Sequence, residues 1–194
     1  YLKEYKIGDK NRPDDAVTRF NNPAATIKLM KGEQVTADLQ VGISSGQLEV
    51  WYQPQVSALG AEVCGVEALV RWRHPEDGLI SPGIFLPIAR RAGLMSDLSE
   101  AVVRQVVADA RDWQAAGHLF PVAINVAPAE LLSGPVLGRL FDEVTSAGLT
   151  PESIIVEVTE DSFIAEPARA REVIQDIRQH GLQVSIDDYG TGFS

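Results

Sequence analysis

Five runs of the chain, "LEVWYQPQV", "EVCGVEALVRW", "PVAINVA", "SIIVEVTE" and "QVSIDD", are rich in valine and isoleucine and nearly unbroken in their apolarity. A strand with one face in water alternates apolar with polar residues. A run that stays apolar throughout needs cover on both faces. The segments between the runs supply it. "SPGIFLPIARRAG" and "DLSEAVVRQVVADARDWQAAG" follow the second strand, "GPVLGRLFDEVTSAG" the third and "EPARAREVIQDIRQHG" the fourth, all with helical periodicity. Each of the last three ends in a glycine suited to a helix C-terminus. Beyond the first two strands no strand follows another directly, so the pattern calls for a mostly parallel sheet covered by helices. From Asn125 to Glu157 to Asp187 the spacing is 32 and then 30 residues, about one strand-helix unit each. A (β/α)8 barrel and an open doubly wound sheet both fit.

Upstream, "TADLQVGISSGQ" reads as a short amphipathic helix with Val35, Leu39 and Ile43 four apart and Gly46 as its stop. Residues 1–33 are polar, hold both early prolines and keep no period, which reads as a linker or the tail of a preceding domain. The chain begins with Tyr1, so a targeting segment ahead of it is not in view.

Composition narrows the chemistry. A net charge of −10 argues against nucleic acid held on a broad basic surface, so DNA and RNA are not expected partners. The single cysteine, Cys64, leaves no internal disulfide and no multi-cysteine zinc site, which fits the cytoplasm. No apolar run approaches the roughly 18 residues that suggest a membrane span.

Within buried strands a polar residue needs a reason. Counting by two puts Glu67, Leu69 and Arg71 on one face of their strand, Ala123, Asn125 and Ala127 on one face of theirs, and Ile155, Glu157 and Thr159 likewise. Glu67, Asn125, Glu157 and Asp187 therefore fall at or near the C-terminal ends of successive strands, where active sites of barrels and open α/β sheets assemble. Taken singly, an acid in a strand is more often a capping or salt-bridged residue. Four in succession argue for a common purpose. Carboxylates gathered at one rim repel or take up protons unless a cation intervenes. Oxygen ligands without histidine or thiolate suit magnesium, manganese or calcium. The adjacent Asp187 and Asp188 allow two ions, about 3.5 to 4 Å apart, bridged by one carboxylate. Other polar and aromatic residues have plainer readings: Arg71 as a surface partner of Glu76 or Asp77, His74, His118 and His180 as solvated, and Trp51, Trp72 and Trp113 as core or rim packing.

In "YQPQV", "EALVRW", "INVA", "IVEVTE" and "SIDDYGTGFS" the chain resembles the EAL domain family of bacterial cyclic di-GMP phosphodiesterases, with all five motifs in order over about residues 34–194. The resemblance implies an α/β, TIM-like (β/α)8 barrel whose first strand is antiparallel, about five of its eight strands being present. It also implies hydrolysis of cyclic di-GMP to linear pGpG with Mg2+ or Mn2+ at a two-metal site. Glu67, Asn125, Glu157, Asp187 and Asp188 match the metal-binding positions, with Glu67, Asp187 and Asp188 central to catalysis. Gln53 and Arg71 match residues that contact the dinucleotide, and Glu160 matches the anchor of the glycine-rich loop. The family further implies homodimers and fusion to an upstream sensory or GGDEF domain. Its non-catalytic cyclic di-GMP receptors are the alternative reading. Ala127 stands where serine is usual, and Tyr189 and Phe193 exchange the customary aromatics. The family pattern continues past Ser194 with three strand-helix units bearing a lysine, a glutamate and a glutamine. The chain is therefore expected to be a C-terminally truncated piece, inactive alone.

Overall fold

The computed structural model describes residues 32–57, 62–126, 130–131, 135–159 and 167–187. In chain order the elements are α1 (Gly32–Ser44), β1 (Leu48–Val56), β2 (Val63–His74), β3 (Gly78–Ile80), α2 (Pro82–Ala92), α3 (Met95–Ala115), β4 (Val122–Asn125), α4 (Pro135–Ser146), a 3-10 turn (Pro151–Ser153), β5 (Ile154–Thr159), α5 (Pro167–Gln179) and β6 (Gln183–Asp187). The expected strands and helices are all here, most with ends moved by one or two residues. Three of the glycines read as helix stops, Gly117, Gly148 and Gly181, have positive φ (86°, 76° and 77°), a left-handed conformation that glycine adopts without a Cβ penalty. The strand order is β1-β2-β4-β5-β6, with β3 beside β2, so the chain is α/β with a parallel-rich sheet.

The described residues form two compact units, one from those within 52–69 and 103–187, the other from those within 32–51 and 70–102. In the first unit β2, β4, β5 and β6 pair in parallel. The neighbour of β2 on its other side is reversed. Ser57 N–H donates to Glu62 O and Cys64 Sγ lies 3.4 Å from Gln55 O, so residue numbers fall along β1 as they rise along β2. The antiparallel first strand implied by the resemblance is thus present. One face of this sheet is aliphatic: Val66, Val122, Ile124, Ile154, Val156 and Val158 are all buried. Helix α4 adds a stripe of Leu137, Leu140 and Val144, and α5 adds Ile177. Each such side chain contributes about 1.5–3 kcal/mol on leaving water. The other face carries the polar residues described below.

The second unit is organised around Trp72, which is fully buried. Its indole N–H donates to Gln47 Oε1 at 3.2 Å, and Phe85 of α2 packs edge-on at 6.1 Å between ring centres. Helix α1 comes so close that a Cβ on Gly42 would stand 2.6 Å from Trp72 Nε1. Only glycine fits there. Sequence reading missed β3, three residues that fold back antiparallel on β2 from Trp72 to His74. That turn corrects the expectation for His74, which is buried rather than solvated. Its Nδ1 accepts hydrogen bonds from the backbone N–H groups of Glu76 (3.3 Å) and Asp77 (3.1 Å), so the ring, rather than water, satisfies the turn. Arg71 is likewise buried, not a surface residue. The packing expected for the tryptophans holds for Trp72, and for Trp113, whose ring meets Tyr52 edge-on at 4.6 Å and Phe120 at 5.3 Å.

Candidate functional site

Register decides whether strand-end residues meet. Glu67 pairs with Ala123, Asn125 with Glu157, Glu157 with Ser185 and Thr159 with Asp187. Paired residues, and residues two apart on a strand, share a face. Glu67, Asn125, Glu157 and Asp187 therefore stand on the same face of the first unit's sheet, opposite the aliphatic one. They also climb: relative to Glu67, Asn125 and Glu157 sit two residues further along their strands, and Asp187 four. In an eight-stranded barrel of shear 8, a level across the axis advances about one residue per strand, so about three over these three steps. The stagger of the four residues, two, two and four, lies within one residue of that advance at each step.

The side chains bear this out where they are described. Asn125 Nδ2 donates to Glu67 Oε1 at 2.9 Å, joining residues 58 apart in sequence. Asn125 is exposed at the strand end and Glu67 half-buried, while Glu157 is buried with 7% exposure. Beyond Asn125 the chain stays against β5, because Val126 N–H donates to the Glu157 carbonyl at 3.1 Å. Asp187 closes β6 by its backbone; its side chain, and all of Asp188, Glu160, Ala127, Tyr189 and Phe193, lie outside the described residues. Gln53 sits half-buried in β1, alternating with the buried Tyr52. In the second unit, the Arg71 guanidinium donates from Nη1 to the carbonyl of Val70 at 2.8 Å. Ser185, directly opposite Glu157 and half-buried, shares the polar face and was not singled out from sequence. Counting back by two from Asp187 would have found it.

Among the described residues no three His, Cys, Asp or Glu side chains form a metal-holding group. The described part of the set is two carboxylates and one amide. Its chemistry suits a hard cation: every donor is an oxygen, and the amide, with its nitrogen committed to Glu67, has its carbonyl oxygen for a ligand. Nothing in that set favours zinc or copper.

Residues 36–194 match the EAL domain family. Among curated proteins, the cyclic di-GMP phosphodiesterase NbdA of Pseudomonas aeruginosa is 34% identical over 177 residues, which is 91% of this chain and 23% of NbdA. The bifunctional diguanylate cyclase/cyclic di-GMP phosphodiesterase MucR of the same organism is 33% identical over 162 residues, 83% of this chain and 24% of MucR. The chain thus spans about a quarter of the length of these relatives. Among solved structures, the PaMucR phosphodiesterase in complex with c-di-GMP superposes with a TM-score of 0.79 at 33% identity, over 83% of this chain and 66% of that one. With the matched motifs, the reversed first strand and the polar rim on one sheet face all in agreement, this chain belongs to the EAL domain family.

Proposed function

We propose that the protein carrying this chain hydrolyses cyclic di-GMP to linear pGpG in bacterial second-messenger signalling, with magnesium or manganese as cofactor. The observation that carries the reading is the Asn125–Glu67 hydrogen bond, set on the sheet face that also bears Glu157 and Asp187. It is supported by relatives named as cyclic di-GMP phosphodiesterases and by a related structure holding that dinucleotide.

On this reading Glu67, Asn125, Glu157, Asp187 and Asp188 hold the ions, which when bound neutralise phosphate charge and lower the pKa of water. The Asn125 amide N–H fixes the Glu67 carboxylate in one orientation, so little is spent on reorganising it as substrate arrives. Arg71 presents a planar fork of donors suited to a phosphodiester, and Gln53 offers an amide to the dinucleotide. Water forms a bond to phosphorus and gives its proton to a carboxylate of the set. The bond from phosphorus to the 3′ oxygen breaks, and that oxygen takes up a proton. Glu160, outside the described residues, is proposed as the anchor of the loop after the aspartates. We further propose a cytoplasmic setting, a homodimer and fusion to a sensory or cyclase domain; no helix among the described residues is long and apolar enough to cross a membrane.

Glu67→Ala in the full-length protein tests the reading. Magnesium-dependent release of pGpG should vanish while the melting temperature is kept. Retained hydrolysis would overturn the assignment of Glu67.

A further inference from the structure

Across the first unit's sheet, Asn125, Glu157 and Ser185 pair in register on β4, β5 and β6. They stand side by side on one face at the strand spacing of about 4.8 Å. One step down the same face come Ala123, Ile155 and Gln183. The first two are apolar, and Gln183 gives its amide N–H to the Glu152 carbonyl at 3.2 Å. On these three strands the polar part of the face therefore begins at the row of Asn125, Glu157 and Ser185.

The three members of that row are committed differently. Asn125 donates an amide N–H to Glu67. Glu157 is a carboxylate with 7% exposure. Ser185 is half-buried, and among the described residues its hydroxyl has no hydrogen-bond partner. That hydroxyl can donate once and accept twice, and it turns about a single bond. Magnesium gives up water reluctantly and is usually bound through one or two carboxylates with several waters kept. Such waters are strong donors, and the groups that accept from them tune the affinity of the site. A hydroxyl one strand spacing from a carboxylate of the set stands where such an acceptor is useful.

Resting on the proposed function, we infer that Ser185 is a positioning residue of the divalent-cation site, its hydroxyl accepting a hydrogen bond from a water of the ion held at Glu157. Ser185 acts through that water and is not itself a ligand. The role is carried by the hydroxyl oxygen, so it passes to threonine and is lost in alanine or valine.

The test uses the full-length protein without substrate, titrated with Mg2+ and with Mn2+ by calorimetry. Ser185→Ala should weaken binding of the ions about tenfold, the low end of the range for groups that support metal ligands, with the melting temperature of the metal-free protein unmoved. Ser185→Thr, which keeps the hydroxyl, should bind within about threefold of the parent. If Ser185→Ala binds within twofold of the parent, or if Ser185→Thr weakens binding as much as Ser185→Ala, the role of Ser185 is overturned while the functional reading stands. If the parent protein binds neither ion, the functional reading falls and the role of Ser185 with it. Should Ser185→Ala fail to fold, Ser185→Val against Ser185→Thr, equal in shape and differing in the hydroxyl, decides: equal affinities overturn the role, and a tenfold deficit in the valine variant upholds it.

Discussion

Two polar pairs in the first unit invite comparison. Tyr52 and Asp109 are 57 residues apart in sequence and 2.6 Å apart in space; Glu67 and Asn125 are 58 apart and 2.9 Å apart. Both join a strand to a distant part of the chain. The first is closed. Tyr52 is 2% exposed, Trp113 covers its ring, and burial together with the Asp109 carboxylate, which accepts its proton, pushes the phenol well above its ordinary range. The second is open: Asn125 is exposed, and the residue paired with it on the same face, Glu157, is again an acid. A hydrogen bond that finishes a packing problem and one that arranges groups for something still to arrive have nearly the same length. What separates them is surroundings: apolar cover makes the first a stability element, while the second stands on the sheet face that also carries Glu157.

If that contrast is right, substitutions should divide cleanly between activity and stability. Glu67→Gln keeps an oxygen to accept from Asn125 but removes the charge. It should lower the rate of pGpG release by about a hundredfold or more, the scale of losing a group that stabilises transition-state charge, with the denaturation midpoint unmoved. Tyr52→Phe should do the reverse. It deletes the donor to Asp109 and should cost about 1–3 kcal/mol in urea unfolding, with specific activity of the folded protein within twofold. An activity collapse in Tyr52→Phe would erase the distinction.

The Tyr52 phenol also gives the contrast a pH signature. Its pKa is raised in the folded state, so the folded protein holds the proton that the unfolded chain releases above about pH 10. The stabilisation is therefore complete below pH 10 and is lost as pH rises beyond it. The stability difference between parent and Tyr52→Phe should shrink by about 1.4 kcal/mol per pH unit there, read from parallel denaturant titrations. The smallest effect is expected at the open pair. Asn125→Ala should change stability by no more than about 0.5 kcal/mol, since the residue is exposed, and should weaken magnesium-induced thermal stabilisation.

Much of this was legible in the residues. Apolar runs marked the strands because cover on both faces leaves few polar positions, and β1 was bounded correctly from Leu48 to Val56. Other features escaped. The residues of β3 are too few to show a period, so the turn after "RWRH" read as solvent-facing and His74 with it. The network in which Glu49 accepts from both Arg73 and Trp51 could not be foreseen, because its members belong to two strands whose pairing alone brings them together. Tyr52 gave no hint of Asp109, which stands on α3.

The sequence by itself determined which residues form strands, where helices stop at glycines of positive φ, and that oxygen-bearing side chains fall at strand ends. These are local matters, settled by periodicity and backbone sterics. Only the tertiary structure decided the register, by which Asn125 stands two residues ahead of Glu67 and level with Glu157. A slip of one residue would send every one of these groups to the opposite face. That choice rests on pairing between distant strands and on the aliphatic face they bury, interactions that no single stretch of the chain contains.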